Sequence, residues 1–470
     1  MPSPAASSSA PRAPLPGGAS AAVTPSANGQ TAWTAAAGLR YGALGLPLAF
    51  VALPLYVLLP PHYAAVHGAP LAALGGVLLA TRLFDAVLDP WLGGLADRLL
   101  DRGARAAWRV AAGGAAAVAL GFALLFAPPA WPQAGLLIWL ALGLLWTTVA
   151  YSLVSIVHHA WGARLGGSAQ QRAQVVGWRE GAALLGVLAA SVLPSVAGLP
   201  ATGAVLAVLL AVGMALLAGA PRPQPGARAA DAQAASAASS TVSSTDPSST
   251  ASSAPPASSR WLPWRSAGFR SLLAVFVVNG IASAVPATLV LFFVRDRLQA
   301  PQWEPLFLGS YFLAAALSVP LWLRAVPRLG LAGGWLAGMA LAVAGFASVG
   351  LLQAGDRGAF LAVCLVTGVA LGADLTYPPA LLAGVLRRSG HGGQAEGAYF
   401  GWWQAAAKLN LALAAGLALP LLAAAGYTPG ARDANAQSAL VMAYAALPLL
   451  MKTAAMALLL RHRARHGEDR

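Results

Sequence analysis

Arg82, Asp85 and Asp89 stand in the stretch TRLFDAVLDPWLGGLADR, inside a long apolar segment. On a helix turning about 100° per residue, offsets of zero, three and seven return to within roughly a sixth of a turn, so the three side chains share a face. Carboxylates one turn apart compete for ionisation, which drives at least one of them to hold a proton or share a cation. Charge at membrane depth is costly and faces either a water-lined path or an opposite charge. The chemistry that fits is reversible capture of a small cation. Sodium needs several oxygen ligands and a proton needs one tuned carboxylate, so the proton is the favoured ion.

Lys408 is the cation most apt to answer these carboxylates. It lies about ten residues, or ~15 Å, inside another apolar run, too deep for easy snorkelling. Taken as the one lysine in an apolar span, it is expected to pair with Asp85, Asp89 or Asp374. Asp374 sits in GVALGADLTYPPALLAG, four residues before Pro378-Pro379; prolines in a span imply a broken helix, and broken helices border binding sites. Arg179 and Glu180 open a further span and suit the cytoplasmic interface, Glu180 near a helix N-terminus. His158 and His159 end a span, where histidines complement the helix dipole or relay protons. Tyr151, Asn279, Trp402, Trp403, Gln404 and Asn410 supply aromatic faces and amides that suit sugar rings, although tryptophans also anchor helices at interfaces. Asp97, Arg98, Arg102 and Arg105 read as an ion-pair latch at a helix end that opens and closes with a conformational cycle.

The elements that must hold these residues follow from composition. Hydrophobic residues make up 58% of the chain and charged residues 9%, against about 25% charge in a soluble domain, so the chain is an integral membrane protein. Apolar runs near the ~20 residues of a crossing helix recur twelve times: about Gly38–Leu59, Leu71–Asp97, Trp108–Ala127, Ala134–His159, Val175–Ala197 and Ala201–Ala218, then Phe269–Val294, Leu306–Ala325, Leu331–Leu352, Ala359–Leu386, Gly397–Gly426 and Ala439–Leu460. Gly42, Gly45, Pro47 and Pro54 are expected to break the first. The polar stretch PRPQPGARAADAQAASAASSTVSSTDPSSTASSAPPASS between the two sets of six is a flexible linker, and two related halves are implied.

Arginines concentrate in the connections after even-numbered runs: Arg98, Arg102, Arg105 and Arg109; Arg164 and Arg172; the linker; Arg324 and Arg328; Arg387 and Arg388; and the C-terminal tail. The positive-inside rule then places both termini in the cytoplasm. This also explains the formal charge of +14 without nucleic acid. The Ser/Ala/Pro-rich start is not expected to be a signal peptide. The single cysteine, Cys364, allows no disulfide framework. There is no HExxH, P-loop or partnered GxSxG, so no enzyme is expected.

Twelve spans in two halves with Gly93-x-x-x-Asp97-Arg98 after the second resemble the major facilitator superfamily. YGALG in the first span, RLFDAVLDPWLGGLADR in the second, GWREGAA in the fifth and EGAYFGWWQAAAKLNLALAAG in the eleventh are similar to the glycoside–pentoside–hexuronide:cation symporters, typified by melibiose permease. The resemblance implies cation binding by Asp85 and Asp89, a substrate or gate role for Arg179, and a role for Lys408. The chain departs from it where Ala49 and Leu48 replace the first span's charged residues, Leu88 replaces a polar residue between the aspartates, and Thr147, Thr148 and Tyr151 stand near the place of a fourth-span carboxylate.

The expectation is an all-α membrane protein with twelve transmembrane helices in two pseudo-symmetric six-helix bundles. Residues 1–34 form a disordered cytoplasmic tail, 35–220 and 268–461 the bundles, 221–267 the linker, and 462–470 a second tail. The expected function is alternating-access symport of a small polar, sugar-like solute with H+ in preference to Na+. The alternatives are the same fold moving an amphipathic or lipid-like solute, or a sensor or scaffold that no longer transports. No cofactor is expected, and no metal beyond Na+ at Asp85 and Asp89. The partners are solute, coupling cation and lipid bilayer, without nucleic acid. The chain is expected as a monomer in a bacterial inner membrane.

Overall fold

A computed structural model describes residues 33–223, 260–427, 430 and 433–466. Most of the tail at 1–34 and of the linker at 221–267 lies outside them. The first span is broken as its prolines and glycines require: α1 Ala35–Gly42 gives way to α2 Gly45–Leu53, a π-turn at Pro54–Leu58 and α3 Leu59–His67. Pro54 has no N–H to donate, and its ring clashes with the carbonyl four residues back, so the helix widens there. Then come α4 Leu71–Asp101, α5 Ala104–Phe126, α6 Gln133–Ala163 and α7 Ala169–Ala218. The second half holds α8 Ala267–Phe292, α9 Glu304–Ala347, α10 Arg357–Arg388, α11 Glu396–Ala424, α12 Ala434–Val441 and α13 Leu447–His466.

Two of these helices are each two passages joined by one non-helical residue. Gly198 in α7 (φ 78°, ψ 170°) and Gly330 in α9 (φ 68°, ψ 177°) take a conformation that a Cβ disfavours. Among the described residues nine stretches are long and apolar enough to cross a bilayer. Pro301–Leu351 contains two of the passages, and α4 and α11 complete the twelve. Large apolar side chains face outward along them: Leu142, Leu317 and Leu450 are each more than 60% exposed, as a lipid-facing surface demands.

Each half buries its own core. One apolar core is built wholly from residues between Tyr41 and Ala220, and two others almost wholly from Phe269 to Leu459. The arginine-rich connections gather at one end. There Arg40 donates to the Gly219 carbonyl, Trp161 to Pro221, Arg387 to Gly167 and Trp402 to Arg260. Arg260, near the end of the linker, also lays its guanidinium over the Trp91 ring at 4.3 Å, so it touches both halves.

The halves meet closely at this linker end. Gly93 of α4 and Gly397 of α11 bring backbone against backbone: a Cβ on Gly397 would lie 2.1 Å from the Gly93 oxygen. Beside them Gln170 of α7 donates to Leu323 of α9, and Leu184 packs on Ala315 and Val319. At the opposite end the bonds from Tyr63 to Leu125 and from Arg297 to Leu352 each stay within one half. The structure is therefore closed at the linker end.

Gly397→Val inserts atoms where none fit and is expected to wedge the halves apart at that end. Spin labels on α4 and α11 near the linker end should report a longer distance than in the parent protein. An unchanged distance would show that the close approach does not hold this end shut.

Candidate functional site

Lys408 reaches across from α11 to the carboxylates of α4. Its Nζ lies 2.6 Å from Asp85 Oδ2 and 2.8 Å from Asp89 Oδ2. It also donates to Ser152 Oγ of α6 at 2.7 Å, and Ser152 donates to Asp85 Oδ1 at 2.9 Å. Both aspartates are buried, so water screens little of this charge. With both carboxylates ionised the cluster carries one positive and two negative charges. The unmatched negative charge is what a proton or monovalent cation would satisfy. The oxygens on hand for a cation are those of Asp85, Asp89 and Ser152, and no set of three or more His, Cys, Asp or Glu side chains suited to a metal occurs among the described residues.

One turn further along α6 the cluster borders a cavity of about 270 Å³ between the halves. Ser155, three residues from Ser152, accepts from Gln404 Nε2 at 2.7 Å, and Gln404 is four residues from Lys408. Tyr151, Arg179, Glu180, Asp374 and Trp403 also line it. Trp403 stacks on Phe276 with centroids 3.8 Å apart, and both rings line the cavity. Arg179 is buried and donates twice to its neighbour Glu180, at 2.7 and 2.9 Å, so its charge is matched locally. His158 is tied into the fold: its Nε2 lies 2.9 Å from the Tyr41 carbonyl, and the Tyr41 hydroxyl donates back to the His158 carbonyl at 3.0 Å. His159 stacks on Phe400. Ala49 and Leu48 face the same space.

Several expected residues fall elsewhere or meet other partners. Arg82 is half-buried one turn from Asp85 and is not among the residues lining this cavity. Asp374 pairs with Lys452 of α13 at 2.8 Å rather than with Lys408, and accepts from Trp335 Nε1 and Asn279 Nδ2. Lys408 is thus not the one lysine in an apolar span; Lys452 is a second, and only 8% exposed. Both lysines of the chain sit within helices opposite aspartates.

The ion pair expected at this helix end forms on Asp97, with a cation other than Arg98, Arg102 or Arg105. Asp97 is fully buried and accepts from the backbone N–H groups of Gly397 and Ala398 at 2.6 and 2.9 Å, at the start of α11. An N-terminus of this kind favours a carboxylate. The arginine it meets is Arg164, from the end of α6, at 3.4 Å; Arg164 also binds Asp101 and Glu396, each at 2.9 Å. Arg98, Arg102 and Arg105 are exposed. Helical geometry gives the reason: Arg98 is rotated about 100° from Asp97, whereas Asp101 is one turn on and shares its face. Beside the latch, burial holds the His391 imidazole below the ordinary histidine range, and His391 hydrogen-bonds the Tyr399 hydroxyl at 2.8 Å.

The sequence reading passed over Ser152, Glu396 and Arg164 as site residues. A signal existed for the first. Thr148, Ser152, Ser155 and His159 recur at offsets of four, seven and eleven, a polar stripe along one face of an apolar helix. For Glu396 the only cue was its place at the start of α11, which suits a cap as well as a latch.

Asp97→Asn keeps an acceptor for the α11 backbone but removes the charge facing Arg164. It should lower solute uptake by roughly tenfold or more by loosening a buried ion pair, while Arg98→Gln stays near the parent rate. Equal effects of the two substitutions would overturn the assignment of Arg164 as the latch cation.

Known structures share this architecture. A bacterial homologue of the iron transporter ferroportin, solved in an outward-facing state, superposes with TM-score 0.64 at 14% identity, covering 91% of this chain and 100% of that one. The human organic anion transporter MFSD10 (TETRAN) gives TM-score 0.59 at 18% identity over 90% and 98% of the two chains. FucP, a major facilitator superfamily transporter in the outward conformation, gives 0.53 at 13% over 89% and 98%. No curated protein matches by sequence. A family model described as MFS/sugar transport protein matches residues 40–464.

Proposed function

Starting from the fact that the chain belongs to the MFS/sugar transport protein family, we propose that this transporter moves a small, uncharged, sugar-like solute together with a proton. The observation that carries the reading is Lys408 of one half held between Asp85 and Asp89 of the other. One added positive charge neutralises the cluster. A proton needs no more ligands than are present, whereas sodium would have to rely on two carboxylates and Ser152. The cluster spans the two halves, so its charge state bears directly on how firmly they hold together.

The cavity favours a neutral solute. The charges lining it are matched in place, Arg179 by Glu180 and Asp374 by Lys452, and a charged guest would have to break a buried pair, at a cost of about 3–5 kcal/mol. What remains on offer is the Phe276–Trp403 wall for a ring face, with Gln404, Ser155 and Tyr151 for hydroxyls. Gln404–Ser155 and Lys408–Ser152 sit one turn apart on the same two helices, so solute and proton are sensed by neighbouring bonds. With the arginine-rich end in the cytoplasm of a bacterial inner membrane, the conformation described is outward-facing, and Arg164 with Asp97 and Glu396 forms its inner gate. The protein acts as a monomer in this reading, since both halves of the site come from one chain.

Reconstituted vesicles given a proton gradient or a sodium gradient, each alone, test the reading with radiolabelled sugars. Accumulation should follow the proton gradient and be abolished by Asp85→Asn in normally inserted protein. Accumulation driven only by sodium would reject the proton assignment, and accumulation in Asp85→Asn equal to that of the parent would reject this carboxylate as the coupling group.

A further inference from the structure

The second half contains a cavity of its own, of about 230 Å³, lined by α8, α9, α10 and the residues from Tyr444 to Lys452 and open on one side. Along α10 it runs from Phe360 to Asp374, fourteen residues, or ~21 Å at 1.5 Å per residue. Its outer part is apolar and aromatic, with Phe307 edge-on to Phe360 and Phe346 against Tyr444. Its inner end is the Asp374–Lys452 pair with Ser283. An apolar cavity of about 150 Å³ in a protein core stays dry and takes up benzene. This one is larger, and it has a polar end.

The polar end specifies a head group. Asp374 is well supplied with donors: Trp335 at 2.8 Å and Asn279 at 3.2 Å on Oδ1, and Lys452 at 2.8 Å on Oδ2. Lys452 uses two of its three ammonium protons, on Asp374 and on Ser283 at 3.0 Å, which leaves one to give. The pair is neutral as it stands, so a charged head group would be buried without a counter-charge. An uncharged oxygen that accepts a hydrogen bond satisfies both conditions.

We propose that this cavity is a second binding site, for an uncharged amphiphile: an apolar chain or ring ending in one small oxygen head such as a hydroxyl or primary amide. The head accepts from Lys452, and the body lies among Tyr311, Phe346, Phe360 and Tyr444. Asp374 lines both this cavity and the one between the halves. A guest held at Lys452 therefore restrains a carboxylate that also faces the solute.

The test uses the full chain in lipid nanodiscs and a diazirine-bearing analogue of 1-decanol. Photolabelling should be saturable and map to peptides containing Tyr311, Cys364 or Tyr444. Excess 1-decanol should compete and decane should not. Ala342→Phe, which fills the cavity, should weaken labelling by roughly tenfold while proteoliposome uptake of solute persists; Ala342→Leu serves the same end if the larger substitution fails to fold. Labelling confined to lipid-facing positions such as Leu317 and Leu321, labelling indifferent to both fillings, or equal competition by decane would overturn the proposal.

Discussion

One ammonium group stands between two buried carboxylates, and the electrostatics of the fold turn on that inequality. A matched pair would be a static brace; two acids facing one lysine are a brace one charge short. Removing either acid or the lysine changes the sum for good, whereas a bound cation would change it reversibly. Because Lys408 belongs to one half and Asp85, Asp89 and Ser152 to the other, the shortfall is located where the halves must part.

Two further kinds of contact act at the closed end. Gly93 and Gly397 let backbones touch, which sets how near the halves come. Arg164, Asp97 and Glu396 are buried behind them, with Asp101 exposed at their edge and the α11 backbone amides completing the coordination of Asp97. Packing here is short-ranged and charge is buried, so neither is diluted by solvent. Contacts of these two kinds are lost together rather than stretched, the behaviour expected of a bistable interface.

Much of this was legible from residue types and spacing. Twelve apolar runs, the break in the first, and the shared face of Asp85 and Asp89 follow from period and length alone, because a bilayer leaves few ways to place a backbone. The membrane also made Lys408 conspicuous. What sequence could not settle was pairing across distant helices: Lys408 had three candidate acids, and that it meets two of them, Asp85 and Asp89, depends on how α4 and α11 dock. Lys452 lies as deep in its own run, and it is the lysine that Asp374, one of the three candidates for Lys408, meets. The latch arginine was sought next to Asp97 in sequence, whereas the close neighbour came from the end of α6.

The single-residue joints at Gly198 and Gly330 have a mechanical consequence. The fifth and sixth passages share one joint and the eighth and ninth the other, with almost no slack between them. The fifth and eighth carry one contact between the halves, through Gln170 and Leu323, whereas Leu321 and Val196 are exposed on the outer surface. A bilayer thicker or thinner than these hairpins prefer exerts a tilt on them. With no loop to absorb it, that tilt is passed to the seam, and membrane thickness becomes a term in the balance between the open and closed states.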